Sequence, residues 1–162
     1  HLCDRRQRQM CIRDRYYEQG IRVSMEEKKA TLGNYLSSTA HPADYADYEQ
    51  SYKYSAMSTV SPKWDTAAGF EENLERIIIQ KWIATYPSGW ETWADIRRTG
   101  YPKFFPIVDN KSNSTVSSSR GMRRLPFPES EKNTNTANVE AAVAMLEGSD
   151  TAATDLWWAK KD

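Results

Sequence analysis

One histidine beyond the first fifteen residues, a few spaced carboxylates and a scatter of large aromatics are the groups in this chain whose types and spacing could do chemistry. His41 lies three and six residues before Asp44 and Asp47. One imidazole and two carboxylates on an irregular loop are not preorganised for a metal, and nothing around His41 suggests a Ser-His-Asp site. Glycoside hydrolysis needs two carboxylates facing each other across a cleft. Glu91 and Asp95 are four apart on an expected helix, so they stand side by side on one surface, with Arg98 there to offset their repulsion. That pattern reads as a solvated charged face. No glycine-rich phosphate loop occurs. The residues therefore point to no catalytic group, no metal and no cofactor.

The aromatics offer binding rather than catalysis. Tyr45, Tyr48 and Tyr52 are spaced for one side of a short helix, where flat faces could stack a sugar. The ordinary alternative is that they pin a long loop to the body. Tyr101, Phe104 and Phe105 form either an exposed aromatic edge or a packed one. Arg97 shares a helix side with Trp90 and Trp93, and a guanidinium can stack on an indole while donating to an oxygen. Its two readings are ligand recognition and tying the following loop to the helix. The second is preferred, and it expects Arg97 to be more buried than Arg98.

These groups are positioned by a helical hairpin. Residues 70–86 read as a helix with Phe70, Leu74, Ile77, Ile78, Ile79, Trp82, Ile83 and Tyr86 spread over about two-thirds of the circumference, and Asn73, Arg76 and Gln80 on a narrow polar strip. Such a helix expects neighbours on two sides. Pro87, Ser88 and Gly89 end it, and Ser88 with Glu91 forms a capping box for a second helix over 89–99. Gly100 suits a left-handed C-terminal cap, and Pro102 prevents the helix resuming.

Around the hairpin, residues 16–30 read as a helix that could continue upstream, and Leu32 to Leu36 as a short helical turn. Residues 37–69 form a long loop punctuated by Pro42 and Pro62. Residues 101–125 form a second loop, with a flexible Ser/Asn-rich stretch at 111–119. Met122 to Pro128 is extended because Leu125 and Phe127 precede prolines, and Pro128 with Glu129 could open a short helical turn. Asn138 would cap a last helix over 139–147, stopped by Gly148, with Val139, Ala142, Val143 and Leu146 inward. Of the adjacent Trp157 and Trp158, at least one should dock back. No strand pattern is present, so the expected class is all-α with long irregular loops.

Residues 1–15 look like translated sequencing-adapter sequence and carry no amphipathic period. Removing their five arginines and two aspartates from 22 of each charge leaves 17 basic and 20 acidic residues. The body is mildly acidic, which argues against a nucleic-acid partner. Both cysteines, Cys3 and Cys11, also fall there. The remainder thus has no disulfide framework, Cys-ligated zinc or thiol nucleophile.

The run IIIQKWIATYPSGWETWADIRRTGYP at 77–102 resembles the C-terminal region of SusD/RagB-like nutrient-binding outer-membrane lipoproteins, nearest the SusD-like subgroup. YYEQGIRVSM upstream, RRLPFPESEKNTN downstream and the late Trp pair agree in order and spacing. The hairpin residues Trp82, Ser88, Gly89, Trp90, Glu91, Trp93, Arg97, Gly100 and Pro102 carry the resemblance as structural positions. It implies a longer protein built from tetratricopeptide-like hairpins, of which residues 16–162 would be the C-terminal portion. It also implies a surface lipoprotein that binds a glycan or peptide nutrient outside the cell. That protein would sit over a SusC-like TonB-dependent transporter, hold the membrane only through a lipid anchor, and not be an enzyme. A solenoid piece should expose apolar faces where neighbours belong. The alternative is a helical-repeat scaffold that binds only a protein partner.

Overall fold

The computed structural model describes residues 2–160, with side chains from residue 13 onward. The earlier reading of Cys3 and Cys11 lies outside the described side chains. The chain divides into two compact units, residues 1–96 with 100–103, and residues 97–99 with 104–162.

In the first unit, helix α1 runs Leu2–Glu27. The helix expected from residue 16 does continue upstream, and it stops three residues short of Ala30. Tyr17 and Ile21 are its buried contacts. A short 3-10 turn, Tyr35–Ser37, follows close to the expected place. The loop beyond it is not featureless. Strands β1, Tyr45–Ala46, and β2, Lys53–Tyr54, pair antiparallel. This corrects two expectations, the absence of strands and the helical spacing of Tyr45, Tyr48 and Tyr52. Strands of two residues are too short to show an alternating pattern in sequence.

Helix α2 spans Phe70–Ala84 and ends two residues before Tyr86. Its supposed polar strip is not turned to water. Arg76 is 3% exposed. Its Nε donates to the Ser61 carbonyl at 3.0 Å, and its other nitrogens reach Asn73 and Glu72. Ile78 is buried, while Phe70, Ile77, Trp82 and Ile83 remain exposed. An apolar cavity of about 490 Å³ lies between α1 and α2, with Tyr16, Ile21, Met25, Ile77 and Ile83 among its walls. Apolar faces were expected to be open here, and they are.

Helix α3 spans Gly89–Thr99, as its sequence boundaries suggest. Gly100 takes φ 80°, and its N–H bonds the Ile96 carbonyl at 2.9 Å. A left-handed residue without a Cβ penalty is what this end requires. The capping box does not form. Ser88 is the N-cap residue but makes no side-chain cap bond, and the Glu91 carboxylate reaches Lys81 Nζ at 3.2 Å instead. Ser88→Ala should accordingly shift the thermal midpoint by less than the change that a lost cap of about 1 kcal/mol would produce. A full-sized loss would mean that the cap forms in solution.

In the second unit, residues 104–128 contain no helix, and Ser117 bridges Gly121. The stretch at 111–119, expected to be flexible, is organised by side-chain bonds. Asn110 Nδ2 donates to the Val116 carbonyl at 2.8 Å, and Ser112 Oγ accepts from the Val116 N–H at 3.0 Å. Helix α4, Glu129–Thr134, opens after Pro128 as anticipated. Helix α5 covers Thr136–Ala144 with Asn135 as N-cap residue. The cap expected at Asn138 and the end expected at Glu147 both fall three residues upstream. Asn138 lies inside α5 and donates to Asn135 Oδ1 at 2.6 Å. Val139 is buried, and Ala142, Val143 and Leu146 are half-buried.

Candidate ligand-contact surface

The far end of the long loop is held by buried and hydrogen-bonded residues. Val60 and Ser58 are buried. Tyr17 donates its hydroxyl to the Pro62 carbonyl at 2.6 Å, and its ring lies 5.0 Å from that of Trp64. Burial holds the Tyr17 phenol well above its ordinary range. Arg76 grips Ser61, and Tyr35 donates to Gln80 Oε1 at 3.0 Å. The loop is thus pinned at 58–64, which leaves the segment at 44–56 to project.

That segment is a stiffened hairpin. Asp47 accepts the Gln50 N–H at its carbonyl, 3.0 Å, and the Tyr52 N–H at its carboxylate, 2.8 Å. Gln50 sits at φ 57°, which closes the turn. Asp44 Oδ1 accepts the Ala56 N–H at 2.8 Å. These two carboxylates therefore serve the backbone. His41 is exposed, with Nδ1 3.2 Å from the Pro42 carbonyl. Among the described residues no group of three His, Cys, Asp or Glu could hold a metal ion. Tyr48 is fully exposed at the turn, and Tyr45 and Tyr52 are 46% and 53% exposed. Tyr48, at the turn, is thus the one of the three most open to solvent.

The second aromatic set is more enclosed. Tyr101, Phe104 and Phe105 are all half-buried. Tyr101 donates to Glu71 Oε2 at 3.1 Å. A Cβ placed on Gly121, itself at φ 65°, would come 3.2 Å from Phe104 Cζ, so that ring closes over backbone. This set packs rather than forming an open edge.

Of the charges expected on a solvated face, Glu91 and Arg98 are exposed but Asp95 is not. Asp95 is 4% exposed and pairs with Lys81 Nζ at 2.8 Å. Lys81 bridges it to Glu91, and the bond to Asp95 is the main reason that the Lys81 pKa is raised. Two carboxylates tied to one ammonium on neighbouring helices are a structural clamp. Trp90 and Trp93 meet edge-on with centroids 5.7 Å apart.

Arg97 is half-buried and Arg98 exposed, the expected order. The Arg97 guanidinium lies 4.8 Å from the ring centroid of Trp158, which is still 37% exposed, against 82% for Trp157. Arg97 Nη1 approaches the Arg123 carbonyl at 3.4 Å, and Arg123 Nη2 donates to the Arg97 carbonyl at 2.9 Å. Arg123 and Arg124 are both buried. Arg123 Nε donates to Asp155 at 2.6 Å, Arg120 pairs with the same carboxylate, and Arg124 pairs with Asp150. These buried arginines escaped the sequence reading. The RR doublet before LPFP was their one visible trace.

No helix among the described residues is long and apolar enough to cross a membrane. No curated protein matches the chain. Among solved structures it is similar to a SusD homologue from Bacteroides uniformis, with 46% identity and a TM-score of 0.86, covering 91% of this chain and 32% of that one. A SusD-like protein from Bacteroides thetaiotaomicron shares 44% identity with a TM-score of 0.83, over 92% of this chain and 32% of that one. A chitin-binding SusD homologue from Flavobacterium johnsoniae shares 37% identity with the same TM-score and the same coverages. The chain spans about a third of the length of these relatives. The family model of the SusD and RagB outer membrane lipoproteins matches residues 10–159. The chain belongs to the SusD-like family.

Proposed function

We propose that these residues form part of a cell-surface lipoprotein that binds a glycan nutrient and delivers it to a SusC-like, TonB-dependent transporter. The observation that carries this reading is the family match across nearly the whole chain. A relative of the same fold is a chitin-binding protein, which favours a saccharide over a peptide. The local chemistry agrees with capture rather than turnover. Glu91 and Asp95 are both engaged by Lys81, and Asp44 and Asp47 brace backbone N–H groups. Binding would rest on aromatic faces, which suit the flat C–H surfaces of sugars.

The test is co-isolation from outer membranes, using a tagged longer lipoprotein that contains these residues. A TonB-dependent barrel recovered with it, together with saccharide affinity, is the expected result. Barrel recovery without affinity for any saccharide or peptide would favour the protein-only scaffold. Failure to recover a barrel would overturn the delivery role.

A further inference from the structure

We infer that one face of the β1–β2 hairpin, carrying Tyr45, Tyr52 and Tyr54, is a stacking platform for a neutral oligosaccharide. This rests on the ligand class proposed above and adds the place of contact. In the antiparallel register Tyr45 lies opposite Tyr54 and Ala46 opposite Lys53. The Asp47 N–H donates to the Tyr52 carbonyl at 3.1 Å, which extends the ladder by one pair. Residues directly opposite share a side, and sides alternate along each strand. The three tyrosines and Asp47 thus fall on one face, with Ala46 and Lys53 on the other. Tyr48 lies at the turn beyond the ladder and is not part of that face.

Three features favour a sugar there. Tyr45 and Tyr52 present half their surface to solvent, and the loop is also anchored farther on, by Tyr17, Arg76, Ser58 and Val60. The hairpin is rigidified at both ends by Asp44 and Asp47, so little freedom is lost when a ligand settles. Residues 44–54 carry three carboxylates against one lysine. That balance repels uronic or sulfated polymers and nucleic acid, and leaves uncharged sugar rings as the fitting occupant.

Calorimetry on the 162-residue chain tests this with neutral hexasaccharides of glucose, mannose and N-acetylglucosamine, beside a uronic-acid hexasaccharide. Tyr45→Ala and Tyr52→Ala should each weaken the best neutral ligand about three- to tenfold, as one lost aromatic contact predicts. Tyr48→Ala should leave affinity unchanged, and far-ultraviolet circular dichroism should be unaltered in all three variants. The platform is overturned if Tyr45→Ala and Tyr52→Ala bind like the unaltered chain, if Tyr48→Ala loses as much, or if the uronic sugar binds best. It is equally overturned if no neutral sugar binds the unaltered chain. The membrane co-isolation experiment judges the delivery role independently of that outcome.

Discussion

Asp155→Ala is expected to destabilise the second unit by about 3–5 kcal/mol, the usual range when one partner of a buried ion pair is removed. The carboxylate is the shared acceptor of Arg123 and Arg120. Arg123 is 6% exposed, so its charge would be stranded away from water. The same site sets an acid limit. Burial alone would raise the Asp155 pKa, but the hydrogen bonds from Arg123 and Arg120 outweigh it and hold the carboxyl below its ordinary 3.8. Asp150 is lowered likewise, with burial opposed by Arg124, the Phe127 N–H and Lys132. A depressed carboxyl contributes stability that is present above the unfolded value and disappears as pH falls through the folded one. Urea unfolding compared at pH 7 and pH 3 should therefore show the unaltered chain losing stability in acid. Asp155→Ala should start lower and lose less between the two. An unfolding free energy at pH 7 within about 1 kcal/mol of the unaltered chain's would remove Asp155 from this role.

Arg76→Met should cost about 2–4 kcal/mol, and its effect should be concentrated in the long loop. Methionine keeps much of the aliphatic stem but leaves the Ser61 carbonyl and Asn73 without their donor. Partners robbed of a buried charged donor lose more than a neutral hydrogen bond is worth. Glu72 is half-exposed and can turn to water, which keeps the figure below that for Asp155. Limited proteolysis supplies a local readout, since residues 58–64 should become cleavable before the helices melt. Uniform destabilisation with no early cut there would mean that Arg76 does not anchor the loop.

What sequence made legible were the features set by local chemistry. Gly89 and Gly100 bracket α3 because backbone freedom is decided within a few residues. Pro128 announced α4 for the same reason. What stayed hidden was decided by partners far along the chain. Arg76 and Asp95 sit on helical positions that periodicity assigns to water, yet each is buried by an oxygen or ammonium 14 or 15 residues away. Arg123 is buried by Asp155, 32 residues on. Tyr45, Tyr48 and Tyr52 misled because a spacing of three and four imitates a helix. A hairpin closed by an Asp47 carboxylate and a left-handed Gln50 has no comparable signature. The cap of α5 was misplaced at Asn138, because Asn135 takes the N-cap position without any side-chain cap bond to announce it. The family, by contrast, was readable from the hairpin run itself, which lies within the family match over residues 10–159.

The open trough between α1 and α2 bears on how this polypeptide behaves as a colloid. Its positive and negative charges balance, with an isoelectric point near 6.9, so at neutral pH little long-range repulsion keeps two copies apart. A water-facing lining of isoleucine, methionine and tyrosine then sets the short-range attraction. Solubility should be poorest close to neutrality, and moving a few pH units to either side restores the repulsion that the lining lacks.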